Sequence, residues 1–321
     1  MSTEVLSESV PCPVCGANAT RPLFAGNGFA MGACTGCGLV RQNPRVTAAW
    51  IRQHVYDAEP GRSAEADRRR RPRGLAPWET KPQEAYLAGV DAVETFRDAR
   101  APRGVWLDVG CQTGGMLVAA RVRGFTAVGV DVDSSTAEFC RTFHGFDARA
   151  GTLVEAAFPD GFAEVVSYRQ VLEHVHDLAA ELAEARRVLR PGGWLLVEVP
   201  HHGGVKFRLD ALRARLRLLD RRRTLPNVPQ HLYYFAARHL LRLLEAAGFE
   251  PLCARTYGRH RRRRSVVRRT YERVRDGLRL GNKLRVVARG PGPPRDAATD
   301  RRPPRDTPPG RGRAGSGGEV G

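Results

Sequence analysis

The sequence predicts an α/β protein: a doubly wound, Rossmann-like sheet of seven mostly parallel strands, with a small N-terminal zinc ribbon and a disordered C-terminal tail. From residue 105 onward, short apolar runs alternate with segments of helical periodicity, the pattern of a parallel sheet covered by helices. Two C-x2-C pairs precede that region, and seven prolines between residues 291 and 310 follow it. A chain of 321 residues that is 42% hydrophobic has enough apolar surface for one large packed domain.

The elements of this domain are predicted in order along the chain. A helix is expected over 82–98, where apolar residues recur at helical spacing and Pro82 suits the first turn. Strands are predicted at 105–110, 127–132, 148–150, 164–168 and 193–200, and strands near 251–257 and 283–289 complete the sheet. Further helices are predicted up to about residue 123 and at 135–143, 177–189 and 236–247. Ser134 is the expected N-cap of helix 135–143.

The predicted boundaries divide the chain into four parts. Residues 1–45 form a zinc-binding module, and residues 46–81, charged and rich in Gly and Pro, form a linker. Residues 82–290 form the α/β domain, with an insertion at 203–230 on its substrate side. The composition of residues 291–321 cannot bury a core, which predicts a disordered tail.

The net charge is strongly positive. The chain has 52 basic and 34 acidic residues, which gives a net charge of +18. Only three of the basic residues are lysine, and the codon usage of a GC-rich genome would produce such an excess of arginine over lysine. The basic runs at 206–223 and 259–275 suit a solvated face or a site for an anionic, phosphate-bearing substrate, with RNA or an acidic membrane as the weaker alternative. With no signal-like start and no run of about 20 apolar residues, a cytoplasmic location without a membrane span is expected.

Two C-x2-C pairs, separated by eighteen residues, are formed by Cys12, Cys15, Cys34 and Cys37. Each pair lets two thiolates converge from one tight turn, and the trailing Gly16 and Gly38 allow the backbone conformation of that turn. Four thiolates complete the tetrahedral shell of a zinc ion and leave no position open. The pattern therefore predicts a structural zinc site, because a module of about thirty residues cannot hold itself together by apolar burial alone.

The segment LDVGCQTGG (107–115) joins the first strand of the domain to its helix, where sheets of this type bind ligands. Asp131 ends the second strand, and its carboxylate can accept both hydroxyls of a ribose. The glycine spacing G-x-x-x-G-G differs from the G-x-G-x-x-G fingerprint of dinucleotide sites. Asp108 would repel a pyrophosphate at the loop entrance but suits a cation. This favours S-adenosylmethionine, which carries a sulfonium and an ammonium but no phosphate.

Four segments together resemble the successive motifs of class I S-adenosylmethionine-dependent methyltransferases: VWLDVGCQTGG, AVGVDVD, VVSYRQVLEHVHD and RRVLRPGGWLLVEVP. The resemblance covers about residues 105–258. Upstream, CTGCGLVRQNPR is similar to the zinc-binding front end of a bacterial subset that includes sugar C-methyltransferases and enzymes acting on polysaccharide or natural-product intermediates. Downstream, PQHLYYFAARHLLRLLEAAGFE is similar to the segment that closes the substrate side in that subset. The resemblance implies methyl transfer to a small-molecule acceptor of that kind.

The resemblance also implies residues for the amino-acid and ribose parts of the cofactor. Asp108, Gly110 and Gly114 would bind the amino-acid end, and Asp131 the ribose. Gln112 replaces the usual middle glycine of the loop. If that position requires a positive φ, the side chain imposes strain of about 1 kcal/mol or more. We predict that the loop still binds the cofactor and that glycine in place of Gln112 tightens binding.

The remaining cofactor contacts implied by the resemblance lie on the next strand ends. Val132 would flank the adenine, and Thr152 and Leu153 would cover its other edge. Tyr168 and Arg169, at the end of the fourth strand, would face the reacting methyl group.

The catalytic candidates are histidines expected at the C-terminal edge of the sheet, where an acceptor enters: His231, His174 and His202. A base is needed only when the acceptor loses a proton as it attacks, and His231 is the first candidate for that role. His174 is alternatively a cap or packing residue of its helix, and His202 an exposed loop residue. Glu173 is interpreted as a structural hydrogen-bond partner.

Two other classes of function stay open at this point. An RNA methyltransferase would use the zinc ribbon and the arginine runs to bind phosphates, but the ribbon has few aromatic residues for base stacking. A non-catalytic binding protein would have kept the fold and lost the ability to bind the cofactor. The sequence observation that favours this class is Gln112, which replaces a glycine of the cofactor loop. The sequence does not reveal the acceptor, the atom that is methylated or the oligomeric state.

Overall fold

The computed structural model describes residues 7–26, 29–56, 84–216, 230–258 and 280–292. Three sheets lie within these ranges, of seven, four and two strands. No helix in the described ranges is long and apolar enough to cross a bilayer. Several predictions concern residues outside these ranges: most of the linker, the insertion between 217 and 229, the basic run 259–275 and the tail from 293 onward.

The N-terminal elements are short. In chain order they are β1 (Ser7–Glu8), β2 (Thr20–Gly26), β3 (Phe29–Cys34), β4 (Val40–Gln42), β5 (Arg45–Val46), α1 (Ala48–Ile51) and a π-helical turn at Arg52–Tyr56. The α/β part begins with α2 (Glu84–Glu94), β6 (Val105–Val109), α3 (Gly115–Val122), β7 (Thr126–Asp131), α4 (Ser134–His144), β8 (Asp147–Ala150) and β9 (Ala163–Arg169). It continues with a 3-10 turn (Leu172–His174), α5 (Leu178–Val188), β10 (Leu189–Pro200), α6 (Val205–Arg215), β11 (Tyr233–Tyr234), α7 (Ala237–Ala246), β12 (Glu250–Tyr257) and β13 (Lys283–Arg289).

The large sheet has the strand order β12-β13-β10-β9-β6-β7-β8. Strands β6 to β10 run parallel, whereas β13 is inserted antiparallel between β10 and β12. The predicted seven-stranded, mostly parallel sheet is thereby confirmed. Strand β10 starts at Leu189 instead of residue 193, with a register shift before Trp194.

The cap of α4 differs from the prediction. Asp133 is the N-cap, and its carboxylate accepts hydrogen bonds from the backbone N–H groups of Ser135 and Thr136 at 3.0 and 3.4 Å. Ser134 is already the first residue of the helix. An aspartate cap also places a negative charge at the positive end of the helix dipole.

Both faces of the large sheet are covered, which explains why its strands read as almost continuous apolar runs. Trp106 and Leu107 on β6 are fully buried, and adjacent residues of a strand point to opposite faces. On one face, Val90 and Val93 of α2 pack in the same cluster as Trp106. The central strand therefore lies in the core, and only its C-terminal end reaches a surface.

Glu164 is a buried carboxylate that joins the N-terminal edge of the sheet to its surroundings. It accepts hydrogen bonds from Arg97 Nε at 2.7 Å and from the backbone N–H of Gly104 at 2.6 Å, and it lies 2.8 Å from Arg190 Nη2. The side chains of Arg97 and Glu164 are 3% and 1% exposed. Such a pair is costly to break, because the remaining charge stays buried and loses its most buried partner.

The N-terminal strands share a sheet with the second half of the chain. Strand β11 pairs antiparallel with β4, with Tyr233 opposite Arg41 and Tyr234 opposite Val40. The four-stranded sheet has the order β11-β4-β3-β2. The boundary of the N-terminal module at residue 45 stays a prediction, but its strands are paired to a segment almost two hundred residues further along the chain.

We expect the Glu164→Ala variant to lose about 3–5 kcal/mol of unfolding free energy, because the buried guanidinium of Arg97 loses its ion pair at 2.7 Å and keeps only the more distant Glu94, at 3.9 Å. Urea denaturation followed by circular dichroism measures the loss. The matched control is Asp91→Ala, which removes the partner of Arg123 from a pair whose side chains are 50% and 36% exposed. That control should lose about 0–1 kcal/mol. Equal losses in the two variants would contradict the assigned role of Glu164.

Candidate active site

The loop after β6 is shaped by residues with left-handed backbone conformations. Gly110, Gln112 and Gly114 have φ values of +71°, +46° and +81°. A Cβ atom added to Gly110 would stand 2.4 Å from Cγ2 of Val171, so only glycine fits against the segment that follows β9. The position of Gln112 does require a positive φ, which means that this side chain strains the backbone.

Asp131 anchors the same loop from the end of β7. Its Oδ2 accepts the N–H of Gln112 at 2.8 Å and its Oδ1 accepts the N–H of Asp133 at 2.9 Å. Burial raises the pKa of Asp131, although these two N–H groups favour its ionised form. A carboxylate oxygen that accepts one hydrogen bond can accept another, so both oxygens can still receive a ribose hydroxyl.

Asp108 lies beneath the loop and is almost completely buried. Its Oδ1 accepts the hydroxyl of Ser167 at 2.5 Å, and that hydroxyl oxygen accepts Nε1–H of Trp106 at 2.8 Å. Burial raises the pKa of Asp108 to about 7, against the lowering effects of Ser167 and of the Arg169 charge. A cation bound beside this carboxyl would favour its ionised form.

Arg169 places a positive charge close enough to Asp108 to act on the pKa of that carboxyl group. Its Nε lies 3.0 Å from Oε2 of Glu198, and its guanidinium stacks 3.8 Å from the ring centre of Tyr86. Nη1 is buried and has no hydrogen-bond partner among the described residues. The ring of Tyr86 in turn covers Gly115, where an added Cβ would stand 2.5 Å from the ring.

Sequence reasoning missed Tyr86 and Glu198 as parts of this site. From the sequence alone, Tyr86 is one of the apolar positions of a predicted helix, and Glu198 is a polar residue within a predicted strand. The second glycine of the GG pair was the available signal, because Gly115 is the residue that lets the Tyr86 ring approach.

The adenine side of the predicted site contains both exposed and buried residues. Val132 is 42% exposed directly after Asp131, and Thr152 is also exposed. Leu153 is fully buried in the hydrophobic core. The expectation that the Leu153 side chain covers an open edge of the adenine is therefore wrong, because that side chain is used in packing.

Tyr168 also differs from its expected role. Its side chain is fully buried, and its hydroxyl donates a hydrogen bond to Glu181 Oε1 on α5 at 2.9 Å. Consecutive residues of a strand point to opposite faces of the sheet, so Tyr168 and its neighbour Arg169 diverge. The expectation that both side chains face one methyl group is wrong for Tyr168.

The three candidate histidines belong to one row of rings at the C-terminal edge of the sheet. The ring centres of His174 and His231 are 4.7 Å apart, those of His231 and Tyr234 are 5.7 Å apart, and those of Tyr234 and His202 are 5.9 Å apart. Burial lowers the pKa of all three histidines, to about 3 for His231 and about 4 for His202. They are therefore neutral near pH 7, a state in which an imidazole can accept a proton or bind a metal.

The structure differs from the alternatives weighed for these histidines. His174 ends a 3-10 turn and does not cap the next helix, and its Nδ1 donates a hydrogen bond to the carbonyl of Gln230 at 2.9 Å. His202 is half-buried between Phe207 and Tyr234 instead of exposed on a loop.

Glu173 is not the structural hydrogen-bond partner that the sequence suggested. Its side chain is fully buried, and neither carboxylate oxygen has a hydrogen-bond partner among the described residues. Burial raises the pKa of Glu173 to about 8. The charge of Lys283 acts to lower this pKa, and the backbone carbonyl of Glu173 accepts the N–H of Leu232 at 2.8 Å.

The four N-terminal cysteines converge as their spacing predicts. The sulfur atoms lie within 4.8 Å of one another, with Cys12 and Cys37 3.7 Å apart and Cys15 and Cys34 3.5 Å apart. Burial opposes ionisation of Cys34, but the backbone N–H groups of Cys37 and Gly36 lower its pKa to about 6. The cluster can hold a metal ion that prefers four sulfur ligands.

This cysteine cluster is connected to the histidine row through the backbone. His239 Nε2 lies 3.1 Å from the carbonyl oxygen of Cys37, and the N–H of Gln42 donates to the carbonyl of Leu232 at 2.9 Å. Arg45 Nη1 donates to the hydroxyl of Tyr233 at 2.9 Å. The segment that contains His231 therefore rests on the N-terminal module.

The parallel sheet, the glycine loop with acidic residues on its first two strands, and the motifs that follow define a class I S-adenosylmethionine-dependent methyltransferase fold and site. The family model described as "Methyltransferase domain" matches residues 78–254, more than half of the chain. The chain belongs to this family.

The curated relatives that the chain matches include proteins named as methyltransferases. The chain is similar to a probable S-adenosylmethionine-dependent methyltransferase of Mycolicibacterium smegmatis, at 36% identity over 147 residues, 45% of this chain and 51% of that protein. It is also similar to a ubiquinone biosynthesis O-methyltransferase of Thiobacillus denitrificans, at 28% identity over 48% of this chain and 68% of that protein. The matched region thus spans about half the length of the first relative.

Among solved structures, a SAM-dependent methyltransferase from Archaeoglobus fulgidus matches with a TM-score of 0.44 and 17% identity. The match covers 63% of this chain and 93% of that one.

We expect the Gln112→Gly variant to bind S-adenosylmethionine more tightly and to unfold less readily. Glycine adopts a positive φ without strain, and removing the side-chain amide of Gln112 clears the approach of the cofactor to the loop. The larger entropy of glycine in the unfolded chain offsets part of the relieved strain, so the gain in unfolding free energy should stay below about 1 kcal/mol. Calorimetry and urea denaturation measure the two effects.

The control for this prediction is Gln112→Ala, which removes the amide but keeps the Cβ atom and its backbone strain. Tighter binding in both variants, with a stability gain only in the glycine variant, separates crowding by the side chain from strain. Weaker cofactor binding in both variants would show that Gln112 is itself a contact, against our expectation.

Proposed function

We propose that the protein transfers a methyl group from S-adenosylmethionine to a small-molecule acceptor by in-line displacement. The observation that carries the proposal is the arrangement of Asp108 and Arg169 beside the glycine loop. They supply one anion and one cation, as the ammonium and carboxylate of an amino acid require. The acceptor class that we propose is a sugar, glycan or natural-product intermediate.

The residues present fit this cofactor. The buried Nη1 of Arg169 needs a hydrogen-bond acceptor, which the carboxylate of the methionine part would provide. Asp131 is held at the end of β7 with acceptor capacity for the ribose, and the exposed Val132 offers an apolar surface to the adenine. Gly110 and Gly114 let the loop turn with a positive φ and pack closely on its neighbours, since an added Cβ atom would stand 2.4 Å from Val171 Cγ2 or 3.3 Å from His144 Cδ2.

S-adenosylmethionine supplies a methyl group already activated by its sulfonium, so much of the catalysis can come from holding the acceptor in line. The row of His174, His231 and His202 lies where the acceptor is expected. If the acceptor loses a proton as it attacks, a neutral imidazole of this row can receive it. We keep His231 as the first candidate.

We further propose that Cys12, Cys15, Cys34 and Cys37 hold a structural zinc ion. The distances between the sulfur atoms suit a tetrahedral shell, and backbone N–H groups of the turns stabilise the thiolates. Because Cys37 contacts His239 and β4 pairs with β11, the ion would also stabilise the segment that carries His231. The zinc would thus support the acceptor side and leave the cofactor loop largely unaffected.

Isothermal calorimetry with S-adenosylmethionine tests the activity at its first step. We expect binding by the zinc-loaded chain, and a loss of about 10- to 100-fold in affinity for Asp131→Ala, which removes hydrogen bonds to a charged acceptor. The control Asp147→Ala changes an exposed aspartate at the start of the neighbouring strand β8. No binding by folded, zinc-loaded wild-type protein would refute the proposed methyl transfer.

Hydrogen exchange measured by mass spectrometry tests the role of the zinc. In Cys34→Ser, or after chelation, the amide of Gln42 should exchange faster, because its hydrogen bond to the carbonyl of Leu232 joins the module to the closing segment. Amides of β6 and β7 should keep their protection. Cys253→Ser is the matched control, since Cys253 lies on β12 outside the cluster. Unchanged exchange at Gln42 would contradict the proposed support.

A further inference from the structure

We propose that Glu173, His174 and His231 bind a divalent transition-metal ion on the acceptor side, separate from the four-cysteine cluster. The binding of the ion is independent of the methyl transfer. Its role, to hold an oxygen atom of the acceptor, rests on the proposed function, in which His202 would then be the base candidate of the row that is not a metal ligand.

The three side chains already present their ligand atoms to one another. One carboxylate oxygen of Glu173 and one ring nitrogen from each histidine lie within 4.8 Å of one another. The two imidazole rings are 4.7 Å apart between centres and nearly perpendicular, at 81°. A shift of side chains by about an ångström would bring all three atoms to the 2.0–2.2 Å that such ligands keep from a transition metal.

The hydrogen bond of His174 favours the tautomer that a metal ligand needs. Its Nδ1 carries the proton, because the carbonyl oxygen of Gln230 at 2.9 Å can only accept. Nε2 is then left with a lone pair. Histidines that bind metals usually donate their other ring N–H in this way, often to a backbone carbonyl.

Glu173 provides an independent reason for a cation at this place. Its carboxyl group is fully buried, and both oxygens lack a hydrogen-bond partner among the residues that the structure describes. A proton alone would not resolve this, because a buried carboxylic acid still needs an acceptor for its O–H and a donor for its carbonyl oxygen. A metal ion satisfies the carboxylate directly.

The donor set indicates the kind of ion. Two imidazole nitrogens and one carboxylate oxygen suit zinc, iron and related divalent ions, whereas magnesium and calcium prefer oxygen ligands throughout. Three protein ligands leave at least one position open, as in catalytic zinc sites.

The place of the cluster indicates what would fill the open position. Glu173 and His174 form the turn after β9, and Val171 at the start of that turn packs against Gly110 of the cofactor loop. An ion bound there would lie on the side from which the acceptor approaches. An acceptor hydroxyl or carbonyl is therefore the ligand class that we assign to it.

The test uses the full chain with zinc in its cysteine cluster, to which Co²⁺ is added. We expect one further equivalent of metal to remain bound after gel filtration. Its absorption should show weak ligand-field bands of nitrogen and oxygen ligation. The intense sulfur-to-cobalt bands that would report exchange into the cysteine cluster should be absent. Zinc-loaded wild-type protein that binds no Co²⁺, or binds it only with sulfur-to-cobalt bands, overturns the proposal.

Two variants assign the ligands. Glu173→Gln and His231→Gln should each weaken Co²⁺ binding by more than about 100-fold, since even changes in the residues that orient ligands cost about 10- to 100-fold. His202→Gln is the matched control, because His202 belongs to the same row of rings but lies beyond Tyr234. Unchanged Co²⁺ affinity in Glu173→Gln and His231→Gln, with circular dichroism like that of wild type, also overturns the proposal.

Calorimetry with S-adenosylmethionine on the same samples separates the two proposals. Co²⁺ bound without S-adenosylmethionine binding would leave the metal site standing and refute the methyl transfer. S-adenosylmethionine binding without Co²⁺ binding would refute the metal site and leave the proposed methyl transfer standing.

Discussion

The buried carboxylate of Glu198 is the interaction on which the active-site end of the sheet depends. Its two oxygens receive Arg285 Nε at 2.5 Å, the hydroxyl of Tyr257 at 2.8 Å and Arg169 Nε at 3.0 Å. One group on β10 thereby links β9, β12 and β13. Arg285 also donates to the carbonyl of Ala88 and so ties α2 to the sheet. A wholly buried carboxylate is tolerated only with such partners, and the same partners hold Arg169 in place beside the cofactor loop.

The other carboxylates of the cofactor site are likewise held in place by hydrogen bonds. Asp131 is held by two backbone N–H groups and Asp108 by Ser167, so each carboxylate has a set orientation at a strand end. Groups positioned in this way need little rearrangement when a ligand binds. Glu173 is the exception, a buried carboxylate whose oxygens have no such partner in the described ranges, and it lies beside two histidines.

The N-terminal module contributes to the architecture of the acceptor side. Its strand β4 pairs with β11, and the carbonyl of Cys37 faces His239 of α7. Forming these contacts requires the closure of a long loop of chain, which costs conformational entropy. A metal ion that orders the module beforehand would leave this closure cost unchanged, but β4 would then pair with β11 without a further cost of ordering the module.

The sequence by itself determined the order of strands and helices, the glycine loop, Asp131 at the end of β7 and the four converging cysteines. These features depend on local periodicity, on turn geometry and on spacing along the chain. Only the tertiary structure decided that Tyr168 packs on α5, that the Tyr86 ring covers Gly115 and that the carboxyl group of Glu173 is buried with no hydrogen-bond partner among the described residues. It also decided the pairing of β4 with β11. The physical reason is that each depends on atoms brought together from distant parts of the chain, about which spacing within one segment carries no information.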